Sequence, residues 1–234
     1  MPSRLSLKSL LLVCALGLTP LVPSATAVGQ GAGADMATTL AFQGPLGEKA
    51  FGNPQAPVTV IEYASLTCHH CRDFHTKTWP AFKAKYVDTG KVRFVIREFP
   101  LDPLATAGFM LARCAGEAAA KAGDTAAGDA RWYAMVDLLY ATQETWSHAE
   151  KPVDALAQSV RQAGMGRDTF EACLRDERIF KGVMTVAQHA GQQLKVSSTP
   201  TFFVNGRREV GALSIEQFDK VLEPMLAGKA APAQ

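Results

Sequence analysis

The stretch SLTCHHCRDFH, Ser65–His75, carries two cysteines and two histidines in four consecutive residues, Cys68, His69, His70 and Cys71. Such a cluster is open to three chemistries: a metal site, a structural crosslink or a redox pair. What surrounds it narrows the choice. VTVIEYAS (Val58–Ser65) is rich in β-branched and aromatic residues and reads as a buried strand. Beyond Cys68 the pattern turns helical, with Phe74, Phe82 and Tyr86 recurring at multiples of four and Trp79 adjoining. The cysteine pair therefore stands where a strand ends and a helix begins.

That junction favours redox chemistry. Unpaired backbone N–H groups and the helix dipole stabilise negative charge at a helix start, so a thiolate at Cys68 is favoured. His69 or His70 adds a hydrogen bond or, when protonated, a positive charge. Cys71, one turn inside, is the less exposed partner and the resolving thiol. A metal reading fares worse, because known zinc spacings separate two ligand pairs by a dozen or more residues and no second pair is visible. A crosslink enclosing two residues removes little chain entropy, so it is a poor staple.

Working outward, Gly52–Pro57 is a turn cluster and Lys91–Phe99 a second strand. Pro80 is expected to kink the intervening helix. Leu104–Lys121, Asp129–Thr142, Pro152–Ala163 and Asp168–Leu194 have helical spacing and contain no convincing strand. Thr201–Val204 and Arg207–Val210 flank Asn205-Gly206, the signature of a tight hairpin. Ser214 with Gln217 forms a capping box for a last helix near Ser214–Leu226. The layout is α/β with helices inserted in the middle.

The start of the chain reads as an export signal: Arg4 and Lys8, an apolar run Leu10–Leu18, and an A-x-A site at Ala25–Ala27. The alternative is an uncleaved anchor. Cys14 falls inside this segment. So do two of the 24 basic residues and none of the 22 acidic ones, which leaves the remainder balanced in charge. With no basic patch, nucleic acid is not an expected partner. The next dozen residues, 28–39, are Gly/Ala-rich and read as a loose leader. Export places the four remaining cysteines in an oxidising compartment. Cys114 and Cys173, both in the helical block and flanked by apolar residues, read as a structural disulfide between two helices. The alternative is two buried free thiols. His75, His148 and His189 are isolated and read as core or surface histidines, with His75 one turn beyond Cys71.

A strand, then C-x-x-C at a helix start, then a distant Thr-Pro before another strand, resembles the thioredoxin superfamily. Cys-x-His-Cys with a long helical insertion resembles the DsbA family of exported thiol oxidases, over about residues 50–228. The resemblance implies a thioredoxin-like fold with an inserted helical domain. Its parts are 1–27 signal peptide, 28–50 leader, 51–102 and 188–230 the two pieces of the thioredoxin-like domain, and 103–187 the insertion. It also implies that His70 is the family's active-site histidine, Glu62 its buried acid and Thr199-Pro200 its cis-proline loop, which presents backbone to a substrate chain. A carboxylate in an apolar strand suits a proton relay to Cys71; the alternative is an edge residue facing water. Two positions depart from the family pattern: His69 stands where proline is common, and Thr199 where its best-known oxidases have valine.

The expected function is a periplasmic thiol:disulfide oxidoreductase donating its Cys68–Cys71 disulfide. Its substrates would be exported proteins with free cysteines and its reoxidant a DsbB-like membrane partner. It would act as a monomer, without metal or other cofactor. The competing readings are a disulfide isomerase or reductase of the same fold, and a non-catalytic module binding peptide or copper.

Overall fold

A computed structural model describes residues 31–121 and 125–228. The expected signal peptide, with its cleavage site near Ala27, lies outside the described residues. A five-stranded sheet forms the centre: β1 (Lys49–Phe51), β2 (Val58–Ala64), β3 (Val92–Glu98), β4 (Thr201–Val204) and β5 (Arg207–Val210), in the order β1-β3-β2-β4-β5. β2 lies in the middle, parallel to β3 and antiparallel to β4. Every residue of β2 except Thr59 is buried, as a central strand covered on both faces requires. The β4–β5 hairpin turns at Asn205 and Gly206, with φ of 45° and 91°, the positive values that Asn-Gly tolerates.

Among the described residues, ten α-helices surround the sheet. α1 (Gly31–Leu40) precedes β1. Between β2 and β3 the chain runs helically as α2 (His69–Asp73), a π-helical turn (Phe74–Thr78), α3 (Trp79–Phe82) and a second π-helical turn (Lys83–Val87). Pro80, where a kink is expected, lies in the first turn of α3, between the two π-helical turns. The insertion comprises α4 (Pro103–Ala120), α5 (Thr125–Ala141), α6 (Gln143–Ser147), α7 (Pro152–Arg161), α8 (Arg167–Leu174) and α9 (Glu177–Gln193). α10 (Ile215–Leu226) closes the chain and starts with the expected capping box.

One face of the sheet carries an aromatic core in which Phe74, Trp79, Phe82, Phe94, Phe202 and Phe218 pack ring against ring. The other face packs Ile61, Tyr63, Val95 and Phe203 against Leu40, against Val186 and Ala190 of α9, and against Leu194 just after it. Cys114 of α4 is disulfide-bonded to Cys173 of α8, with Cα atoms 5.9 Å apart.

Three sequence expectations need correction. Residues 31–40 of the expected loose leader are helical, because Met36 and Leu40 give that segment an apolar edge that packs on the sheet. Lys49 and Ala50, also assigned to the leader, belong to β1. The boundary drawn at residues 187 and 188 falls inside α9, and the expected long helix Asp168–Leu194 is two helices. Asp176 divides them, since its side chain accepts from the backbone N–H groups of Arg178 and Ile179 and so caps α9.

Candidate active site

Cys68 is the N-cap of α2, with extended backbone (φ −78°, ψ 119°), so its sulfur sits over the free N–H groups of the first turn. Both cysteines are present as thiols. Cys68 reaches the surface with 8% of its area and Cys71 with none. The two thiols respond oppositely to this placement. Hydrogen bonding from Cys71, then from the Thr199 side chain and the backbone N–H groups of Cys71 and His70, lowers the Cys68 pKa to about 5 against the opposing effect of burial. Burial pushes Cys71 well above the ordinary thiol value, helped by the neighbouring Cys68 and the Glu62 charge. One sulfur is built to be an anion and the other to keep its proton.

His69 and His70 occupy the two positions between the cysteines. Both are exposed, and their rings lie against each other with centroids 3.9 Å apart. The leading contributions that lower the Cys68 pKa come from Cys71, Thr199 and the backbone, including the N–H of His70 itself.

The Thr199–Pro200 peptide is cis and faces the helix start. The Thr199 carbonyl accepts from the Cys68 thiol at 3.2 Å. Its buried hydroxyl oxygen has no partner among the described residues apart from this electrostatic contact with the thiolate.

Glu62 is fully buried on β2, not at a sheet edge. Its Oε2 lies 2.9 Å from Nε2 of His75, which is buried as well. The His75 ring stacks on Tyr140 of α5, with centroids 4.5 Å apart and planes 14° from parallel. His75 is therefore no isolated core histidine. Its position four residues after Cys71, on the same helical face, was the available signal.

Sequence reasoning also missed how the insertion grips the cysteine loop. Gln143, at the start of α6 and buried, donates from Nε2 to the carbonyls of Leu66 at 2.6 Å and Cys68 at 3.1 Å. Tyr140 donates to the carbonyl of Ser65 at 3.3 Å. The Thr67 hydroxyl donates to Asp102, which also caps α4, and Arg72 is paired with Glu144. Polar side chains in a helix need a reason, and here the reason is a loop whose carbonyls have no sheet partner. Among the described residues, no three or more His, Cys, Asp or Glu side chains are grouped so as to hold a metal ion.

This geometry can be set beside known proteins. The family model described as Thioredoxin matches residues 46–224. The chain belongs to the thioredoxin family, as a DsbA-like member. The crystal structure of α-DsbA1 from Wolbachia pipientis is similar at 26% identity with a TM-score of 0.68, over 77% of this chain and 92% of that one. A Rickettsia typhi protein named as a protein-disulfide oxidoreductase is 28% identical over 72% of this chain. The match spans only 58% of that relative's own length, and equally partial shares of its Rickettsia counterparts. A segment of the Na(+)/H(+) antiporter NhaA 1 of Salinispora arenicola is 36% identical over 76% of this chain and makes up 24% of that protein. In its fold, this DsbA-like chain is a thioredoxin sheet with a helical insertion between β3 and β4.

Proposed function

We propose that this protein is a thiol:disulfide oxidoreductase that donates the Cys68–Cys71 disulfide to exported proteins. The observation that carries the reading is the opposed pair of thiols at the start of α2, Cys68 lowered to about 5 and Cys71 raised. A thiolate that stable favours the reduced enzyme, and a dithiol stabilised in its reduced form is an oxidant when disulfide-bonded.

The chemistry runs in two exchanges. A substrate thiolate attacks Cys68 sulfur, the Cys68–Cys71 bond breaks, and its electron pair goes to Cys71 sulfur, which takes a proton. A second substrate thiolate then attacks the substrate sulfur of the mixed disulfide. Cys68 departs as a thiolate, the substrate holds a new disulfide, and the enzyme is reduced by two electrons. The low pKa of Cys68 makes it the better leaving group in the second exchange. Accessibility directs the first attack to Cys68, because Cys71 has no exposed surface. The Thr199 backbone before the cis peptide, beside Cys68, is where an extended substrate chain would pair. The same reading assigns residues 1–27 as a cleaved signal, the periplasm as the site of action, a monomer, and a DsbB-like membrane protein as reoxidant.

The test is the redox equilibrium of Cys68–Cys71 against glutathione buffers, paired with trapping by Cys71→Ser. A pair that stays reduced except in oxidising buffers, and a variant that captures substrates on Cys68, support the oxidase. A pair that oxidises even in strongly reducing buffers transfers the assignment to a reductase. Exchange activity confined to already oxidised, mispaired substrates transfers it to an isomerase.

A further inference from the structure

Opening the disulfide leaves negative charge on Cys71, a sulfur with no exposed surface, while Cys68 is held in the mixed disulfide with the substrate. An anion without solvent around it is costly in the interior, so Cys71 must be protonated as it leaves. Solvent does not reach it directly. The nearest buried acid is Glu62, whose charge acts on Cys71. A carboxylate that gives up a proton in a closed core needs it replaced, and Glu62 has no exposed surface either.

His75 fills that gap. Its Nε2 meets Glu62 at 2.9 Å, while its Nδ1 and the second Glu62 oxygen, Oε1, have no hydrogen-bond partner among the described residues. An imidazole can take a proton on one nitrogen and release one from the other, which a lysine or arginine in the same place cannot do. From α5, three groups face this pair: Tyr140, stacked on His75, and Tyr133 and Asp137, four residues apart. Both tyrosines keep their protons, their pKa values raised by burial. Asp137 differs, since it lies at the surface and interacts electrostatically with His75. From α2, Cys71 faces Glu62, whose charge acts on it.

We infer that Glu62, His75 and Asp137 form the proton route between solvent and Cys71, with His75 as its exchangeable middle link. The inference rests on the thiol–disulfide reading above. When a substrate thiolate attacks Cys68, the electron pair of the broken bond goes to Cys71 sulfur. The Glu62–His75 pair delivers one proton there and regains one from solvent past Asp137. The substrate thiol's own proton has already gone to solvent, so one proton is released and one taken up. His75 touches neither sulfur and is a positioning residue acting through Glu62.

The experiment measures the rate at which dithiothreitol opens the oxidised pair, across pH and in light and heavy water, for the wild type, His75→Gln and Asp137→Asn. Glutamine keeps a hydrogen bond to Glu62 but cannot carry a proton. The expected result is opening slowed by about tenfold or more in His75→Gln and less in Asp137→Asn. The loss should grow as pH rises and free protons become scarce, and the solvent isotope effect should change in both variants. Alkylation of Cys68 in the reduced variants, with its midpoint unmoved, shows that the nucleophile itself is intact. Asp137 is exposed, so Asp137→Asn carries the test should His75→Gln fail to fold. Wild-type rates, pH profile and isotope effect in Asp137→Asn and in any folded His75→Gln overturn the route. A wild type whose disulfide does not exchange with thiols at all overturns the function reading instead, and the route with it.

Discussion

The Thr199 carbonyl lies 3.2 Å from the Cys68 sulfur, and the hydroxyl of the same residue contributes to holding the thiolate. One residue of the cis-proline loop thus faces the nucleophile with two groups, a carbonyl that accepts from the thiol and a buried hydroxyl with no other partner among the described residues. Thr199→Val keeps the shape and the carbonyl but removes the donor. A hydrogen bond to a charged group contributes about 1.5–3 kcal/mol, so the Cys68 pKa should rise by about one to two units. Ultraviolet absorbance of the thiolate as a function of pH measures it, and Thr199→Ser should restore most of the shift. An unmoved midpoint would assign the thiolate's stability to the helix start alone.

The lowered pKa of Cys68 also fixes a pH dependence of stability. A thiol that titrates near 5 when folded and at the ordinary value when unfolded stabilises the folded, reduced protein as an anion. That stabilisation is complete above the ordinary thiol pKa and is lost as pH falls through about 5. The disulfide form has no such group. The stability gap between reduced and oxidised protein should therefore shrink toward acid, by about 1.4 kcal/mol per pH unit inside this window. Cys71, raised rather than lowered, keeps its proton there and adds nothing. Denaturant unfolding of both forms at several pH values checks the slope and its sign.

How much of this was legible beforehand follows from the range of each interaction. The Cys68–Cys71 pair, the Asn205-Gly206 turn and the Ser214–Gln217 capping box are local, within a few residues of chain, and their residue types have few other uses. The break at Asp176 was equally local, since aspartate favours a cap over a helix interior. β1 is three residues long and too short for an alternation pattern. The Glu62–His75 and Gln143–Cys68 contacts join residues 13 and 75 positions apart on different elements. Burial of Glu62 could be argued from its strand. The partner that makes this burial tolerable is set by packing, which no local pattern encodes.

Gln143 offers a test of the insertion's role. Its amide satisfies two carbonyls of the active-site loop in a buried position. Replacement by leucine removes the donor: the Cys68 carbonyl keeps the Arg72 N–H, but the Leu66 carbonyl loses its amide partner, at a cost of about 1–3 kcal/mol. The expected result is a melting temperature lower by several degrees, about 2–4 °C per kcal/mol for a chain of this size. If the contact also positions Cys68, alkylation of its thiolate at saturating pH should change as well. An unchanged rate with a lowered melting point would mark Gln143 as structural only.

The disulfide between Cys114 and Cys173 is separate in role from the redox pair. It joins α4 to α8 across 59 positions of sequence, within the insertion. Closing a loop of that length restricts the unfolded chain by about 4 kcal/mol in the chain-entropy account. Neither sulfur is among the groups acting on Cys68 or Cys71. Replacing both with alanine should lower the melting temperature by several degrees while leaving the Cys68 titration midpoint and the glutathione equilibrium of the active pair where they were. A shift of the redox equilibrium in the double variant would show that the insertion transmits strain to the site, and that this disulfide regulates the enzyme as well as stapling it.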